Sequence, residues 1–214
     1  MTTTQFDANL VPAPAVRFLP RAGADIRYVL SGLPLALTSL VVSTIGVTAG
    51  AATALLWIGV PVMIRAVGMS REFAETERGR IAEVLGEPVP RPRYRTTDSG
   101  NPLRRLVTVL GDRQTWRDLA HATLRFLPNA VAVSLIMTWW AAMLGGLTWV
   151  LWGWSLPDDS RELPELLGLG DAYLTTAVCY LVGAVVFAAT LPAVARWSAT
   201  FEARFARALL TGKA

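Results

Sequence analysis

The sequence predicts an all-α integral membrane protein. Its four transmembrane helices form two repeats of span, span and juxtamembrane helix, with both termini cytoplasmic. Three observations carry this reading. Of the 214 residues, 53% are hydrophobic and only 17% charged, where soluble domains carry about a quarter charged. Tyr28–Ile64 is a run of 37 residues without one charge. A bilayer core takes roughly 20 helical residues to cross, so this run is too long for one span and suits two. Arg161 is the single one of the 20 Lys and Arg that falls on the predicted outer side. The positive-inside rule then sets the orientation.

In chain order, residues 1–27 read as a polar, irregular cytoplasmic tail with Pro12, Pro14 and Pro20, ending in Arg17, Arg21 and Arg27. A signal peptide is disfavoured, because its n-region would be very long. The first hairpin follows, with spans at about 28–46 and 50–67 and a turn in the small residues Gly46–Gly50. Residues 68–120 form a cytoplasmic segment. Residues 65–117 hold eleven Arg. Met69–Leu85 places Phe73, Ile81, Val84 and Leu85 among charged residues, as an amphipathic helix does. Pro88, Pro90 and Pro92 stop that helix, and helix resumes at Leu103. Phe126–Pro157 is again free of charge and gives the third span, about 126–150. Trp149, Trp152 and Trp154 at its end suit a membrane interface. The loop 155–171 is acidic and reads as extracytoplasmic, with a short helix at Leu163–Leu169. The fourth span is about 172–195, and Arg196, Arg204, Arg207 and Lys213 hold the C-terminus inside.

The two halves resemble each other. Leu33-Pro34 and Leu127-Pro128 open their first spans. Val60-Pro61 through Arg65 parallels Leu191-Pro192 through Arg196, and each is followed by a helical tail ending in Leu then Gly. Since both copies start inside, the repeat is expected to be parallel. The acidic outer loop belongs to the second copy alone.

These features together resemble a known family. The charge-poor hairpin opening in Leu-Pro, the Arg-rich, Pro-containing middle and Thr115-Trp116-Arg117-Asp118-Leu119 before the third span are similar to the sensor domain of actinobacterial membrane proteins. That domain is the N-terminal membrane module of some two-component sensor histidine kinases, and it also stands alone. The resemblance covers roughly residues 25–212. It implies a signal-input module in the plasma membrane, and it brings neither a ligand nor catalytic residues. Glu77-Arg78-Gly79-Arg80-Ile81-Ala82-Glu83-Val84-Leu85-Gly86 resembles the phosphoacceptor box of those kinases, but Gly86 stands where the His belongs. With no ATP-binding segment either, no enzymatic activity is expected.

Other chemistry is sparse. Cys179 is the single cysteine, so no intramolecular disulfide or cysteine-based metal site can form. His121 is the single histidine, flanked by Arg117 and Arg125 four residues to each side on one helix face. The apolar runs Tyr28–Ile64, Phe126–Pro157 and Ala172–Ala195 that supply the spans hold no Asp, Glu, Lys or Arg, which lowers an ion-coupled transporter reading. Asn129 is expected to make an interhelical hydrogen bond. Gly46 and Gly50, four apart, are expected to pack the bundle or a homodimer closely. No cofactor or metal is expected.

The candidate interaction residues fall in two groups. Asp158, Asp159, Glu162 and Glu165 mark the outer loop. Arg91, Arg93, Arg95, Arg104 and Arg105 face the inner leaflet or a cytoplasmic partner. Anionic lipid is the default partner for these arginines, at roughly 1 kcal/mol per basic residue near the surface. Nucleic acid is not expected, since no stacking platform accompanies the charge. The leading expectation is a non-enzymatic membrane signalling or accessory protein whose partner is a histidine kinase, a response regulator or a transporter. The alternative is a small permease subunit or a lipid-handling membrane protein.

Overall fold

The computed structural model describes residues 14–95, 100–155, 163–166, 168 and 172–211, and no strand occurs among them. The helices are α1 (Pro14–Ala52), α2 (Gly59–Leu85), α3 (Pro102–Leu110), α4 (Arg113–Leu124), α5 (Phe126–Trp152), α6 (Leu163–Leu166) and α7 (Tyr173–Leu210). Apolar runs choose helix because a lipid-embedded backbone must satisfy its own hydrogen bonds. Three helical stretches are long and apolar enough to cross a membrane: Pro20–Ala52, Arg113–Ser155 and Tyr173–Leu210. The chain is a membrane-embedded helical protein.

The first hairpin differs from the expected one in where it turns. α1 passes unbroken through Gly46–Gly50 and ends at Ala52. The chain reverses over residues 53–58, with Trp57 at φ 62°. Gly59 is required there, because a Cβ would lie 2.2 Å from the Gly50 carbonyl oxygen. Gly46 and Gly50 instead face α2. A Cβ on Gly46 would meet Ala66 Cβ at 2.5 Å, and one on Gly50 would meet Met63 Cβ at 2.9 Å. The small residues mark close packing within the hairpin, not its turn. The later turn leaves α2 only Gly59–Ile64 before Arg65, so α2 is not among the long apolar helices. Three candidate spans therefore replace the expected four.

The N-terminal boundary also differs. Residues 14–27 belong to α1 and are not an irregular tail. Asp25 gives this segment a reason to order, since it is buried and pairs with Arg196 of α7 at 3.2 Å.

Downstream, the helix stops follow the sequence. Gly86 ends α2 at φ 72°, its N–H donating to Ala82 O, a left-handed C-cap that glycine adopts without steric cost. Residues 86–95 are coil, as the prolines require. The Asn101 side chain caps α3 by accepting from Leu103 N, and Asp112 caps α4 by accepting from Gln114 N, each satisfying an orphan donor. α4 runs into α5 through Arg125, whose backbone stays helical (φ −57°, ψ −28°).

The repeat is not parallel. Ser39 Oγ donates to Ala122 O, and Asn129 Nδ2 donates to Val29 O. Residue numbers rise along α1 as they fall along α4–α5, so the opening helices of the two copies run antiparallel where they meet. The hairpins join root to root because the charges at their roots find partners in each other.

The buried apolar core at this junction is small and rich in alanine: Val29, Ala74, Ile81, Ala132, Ile136, Ala199, Ala203, Ala206 and Leu210 belong to it. Large apolar side chains along the arms, such as Ile45, Leu151 and Leu174, are instead exposed. A lipid environment suits such surfaces, whereas water does not.

Candidate functional site: a buried charge belt at the hairpin roots

At the junction, α1, α2, the α4–α5 bend and α7 converge on one polar cluster. Glu77 of α2 and Glu202 of α7 are both fully buried. Arg125, also buried, bridges them: Nη1 lies 2.8 Å from Glu77 and Nη2 lies 3.3 Å from Glu202. Tyr28 OH donates to Glu77 at 2.8 Å. Asn129 Nδ2 donates to Glu202 at 3.1 Å as well as to Val29 O, the interhelical bond its position predicts. Arg80 reaches Glu77 at 3.2 Å, Tyr28 O at 2.6 Å and Ser31 Oγ at 2.9 Å. A charge this deep is tolerated only when paired and hydrogen-bonded, and each carboxylate here has two or more donors.

Gly32 makes the convergence possible. A Cβ there would stand 2.6 Å from Asn129 Nδ2 and 3.1 Å from Glu202 Oε1. α1 can press its backbone against the cluster only through a residue with no side chain.

A second layer continues the belt along α4. Asp118 is buried and accepts from Arg78 Nη2 at 3.1 Å, Tyr94 OH at 2.7 Å and Gln114 Nε2 at 2.9 Å. Gln114 also donates to Leu210 O at the end of α7. Arg71 donates to Thr115 Oγ1 at 2.6 Å and sits over the Tyr94 ring at 4.3 Å. Burial, then the bond to the Asp118 carboxylate, pushes the Tyr94 hydroxyl up to about 12. The coil after α2 is thereby pinned to α4.

The sequence-level candidates scatter. Asp158, Asp159 and Glu162 lie outside the described residues. Glu165 is exposed in α6. Arg91 is exposed and pairs with Glu75. Arg95 is exposed, with its backbone N–H donating to Asp112. Arg93, Arg104 and Arg105 are exposed. α3 buries none of its residues, and Leu103 and Val107 stand exposed on it. The inner arginines and Glu165 do not converge on one site.

The belt residues were legible only singly. Arg125 and Asn129 lie four apart, on one helix face, and Glu77 and Arg80 sit on the buried side of α2. The Glu77–Arg80 stretch that resembles a phosphoacceptor box is thus a charge-pairing element. The Thr115–Leu119 stretch buries Thr115, Asp118 and Leu119 and leaves Trp116 exposed. Those two polar residues carry the second layer.

Residues 28–210 match the family described as "Putative sensor". The chain belongs to this sensor-domain family. The match begins at Tyr28 and ends at Leu210, so it spans both hairpins of the sensor domain and every belt residue named above. No curated protein and no solved structure matched the chain.

A separate groove lies along the second hairpin of the sensor domain. It has a volume of about 590 Å³ and is walled by small residues of α5 and α7, including Gly145, Gly183 and Cys179. A Cβ on Gly145 would meet nothing within 4 Å, whereas one on Gly146 would meet Tyr180 O at 2.6 Å. Gly146 thus sets the helix approach, and Gly145 opens the groove.

Proposed function

We propose that this sensor domain is a non-enzymatic signal-input or accessory module of the plasma membrane. It relays a membrane or extracytoplasmic stimulus to a cytoplasmic histidine kinase, response regulator or transporter. The observation that carries this reading is the Arg125 bridge between Glu77 and Glu202. α7 is one helix from Tyr173, beside the outer-loop segment, to Leu210. Its outer end is held by Trp149, whose ring stacks with Tyr180 and contacts Tyr173. A displacement at that end moves Glu202, and Glu202 shares its cation with α2. Packed interfaces with discrete pairings suit two-state behaviour, which signalling requires.

The test is recovery of the full chain from native membranes in mild detergent, with identification of co-purifying proteins. A kinase, regulator or transporter that accompanies the wild type supports the reading. Absence of any such partner in every condition counts heavily against it.

The apolar α5–α7 groove favours a second reading, a lipid-handling or permease subunit. Reconstitution of the purified chain into vesicles with a flux or lipid-transfer assay separates the two, since activity by the chain alone favours this one.

A further inference from the structure

The root of the first hairpin holds a second polar feature, distinct from the buried belt. A cavity of about 250 Å³ opens between α1, α2 and α7. Arg21 and Arg27 of α1, Arg80 of α2 and Arg196 of α7 line it, with Asp25 and Glu83 as its acids. Four guanidinium groups thus face two carboxylates. Asp25 is engaged by Arg196 at 3.2 Å, and Arg196 also donates to Val84 O. Arg80 is held by Glu77 through Nη1, and its Nη2 donates to Tyr28 O and to Ser31 Oγ. Arg21 and Arg27 are exposed, and among the described residues neither pairs with a carboxylate. The cavity has space for roughly eight waters of liquid volume, more than a phosphate group needs.

Its height in the fold is informative. Arg27 immediately precedes the charge-free run that opens at Tyr28, and Arg196 immediately follows the apolar run that closes at Ala195. Trp197, next in the chain, is exposed. Arginines and an exposed Trp at the ends of apolar runs lie at the level of lipid headgroups. Arg forks match phosphate oxygens bidentately, which water-exposed lysines do not.

We propose that this cavity binds the phosphate of an anionic lipid headgroup, with Arg21 and Arg27 closing over it and Arg80, Arg196 and Ser31 forming its floor. The same chemistry could be met by free phosphate, and the experiment separates the two sources. The assignment does not depend on whether the domain signals.

The full chain is purified in detergent and exposed to mixed micelles containing either phosphatidylcholine or phosphatidylglycerol, or to inorganic phosphate alone. Native mass spectrometry counts the retained lipid. The expected result is one phosphatidylglycerol retained selectively over phosphatidylcholine. Its affinity should fall about tenfold to thirtyfold in R21Q/R27Q, the loss of two surface cations near an anionic headgroup. R113Q/R204Q removes two exposed cations outside the cavity and should bind as the wild type does. Arg21 and Arg27 are exposed, so the double variant should fold, and equal elution on size exclusion checks this. Equal retention of both lipids by the wild type overturns the proposal. So does a loss of binding that R113Q/R204Q shares. Stabilisation by inorganic phosphate without retention of phosphatidylglycerol overturns the lipid source.

Discussion

Arg125 Nη1 stands 2.8 Å from the Glu77 carboxylate, across an interface between the α4–α5 bend and α2. Both side chains are almost fully removed from solvent. Truncating one member of such a pair leaves an uncompensated charge, at a cost of about 3–5 kcal/mol. R125M is therefore expected to lower the thermal unfolding midpoint in detergent sharply. Neutralising Glu202 as well, as R125M/E202Q, should cost less than R125M alone, because Glu77 keeps Arg80 as its cation and no stranded charge remains. If the double variant were the less stable of the two, the charge-pairing account of this junction would fail.

Gly32 and Gly23 offer a contrast of sign within one helix. A methyl group at Gly32 intrudes on Asn129 and Glu202, so G32A should destabilise by about 1–3 kcal/mol, the usual cost of overpacking. A methyl group at Gly23 meets nothing within 4 Å. G23A should be neutral or stabilise by up to about 1 kcal/mol, since alanine is the better helix former. Denaturation of the two variants side by side checks both. Equal effects would mean that α1 does not pack against the belt through Gly32.

The sequence makes the apolar arms visible because charge-free runs of 20 or more residues have one physical use. Helix stops are equally visible at Gly86 and at Pro88–Pro92, where backbone chemistry is local. The hairpin turn is harder to place. Gly46 and Gly50 are the obvious flexible residues, yet in an apolar helix glycine serves close approach as readily as turning, and only the partner (Ala66 and Met63) decides which. The direction of the repeat also misleads, because Arg125 read alone is a topological marker. Its meaning depends on Glu77 and Glu202, which lie 48 and 77 residues away in the chain. Long-range charge pairing leaves no periodic trace.

Tyr94 predicts an alkaline transition. Its hydroxyl is held near 12 in the folded chain, against about 10 for an unfolded tyrosine. A raised value means that the folded state keeps its proton when the unfolded state has lost it. The contribution is complete below about pH 10 and is lost as pH rises toward about 12. Stability should fall across that window, and Y94F should flatten the fall. At neutral pH Y94F also removes the bond to Asp118, for about 1.5–3 kcal/mol as a hydrogen bond to a charged group. Unfolding midpoints of both proteins from pH 8 to 12 provide the measurement. Parallel curves would show that Tyr94 does not titrate in this way.

The hairpin turn carries two substitutions with opposite outcomes. Trp57 adopts φ 62° while its side chain is exposed. A bulky residue in the left-handed region costs about 1–2 kcal/mol relative to glycine. W57G should therefore stabilise the turn by about 1 kcal/mol, less whatever its indole gains at a lipid interface. Gly59 has no such freedom, since its Cβ would collide with backbone atoms of Gly50, Thr53 and Ala54. G59A must displace α2 relative to α1 and with it the contacts Gly46–Ala66 and Gly50–Met63. Cysteines introduced at Ser43 and Ser70, whose hydroxyls lie 3.1 Å apart across the same α1–α2 contact, report the change directly. Oxidative cross-linking should be fast in the parent and in W57G and slow in G59A. Equal rates in all three would place the turn elsewhere, and the Gly46–Gly50 segment would regain its claim to be the bend.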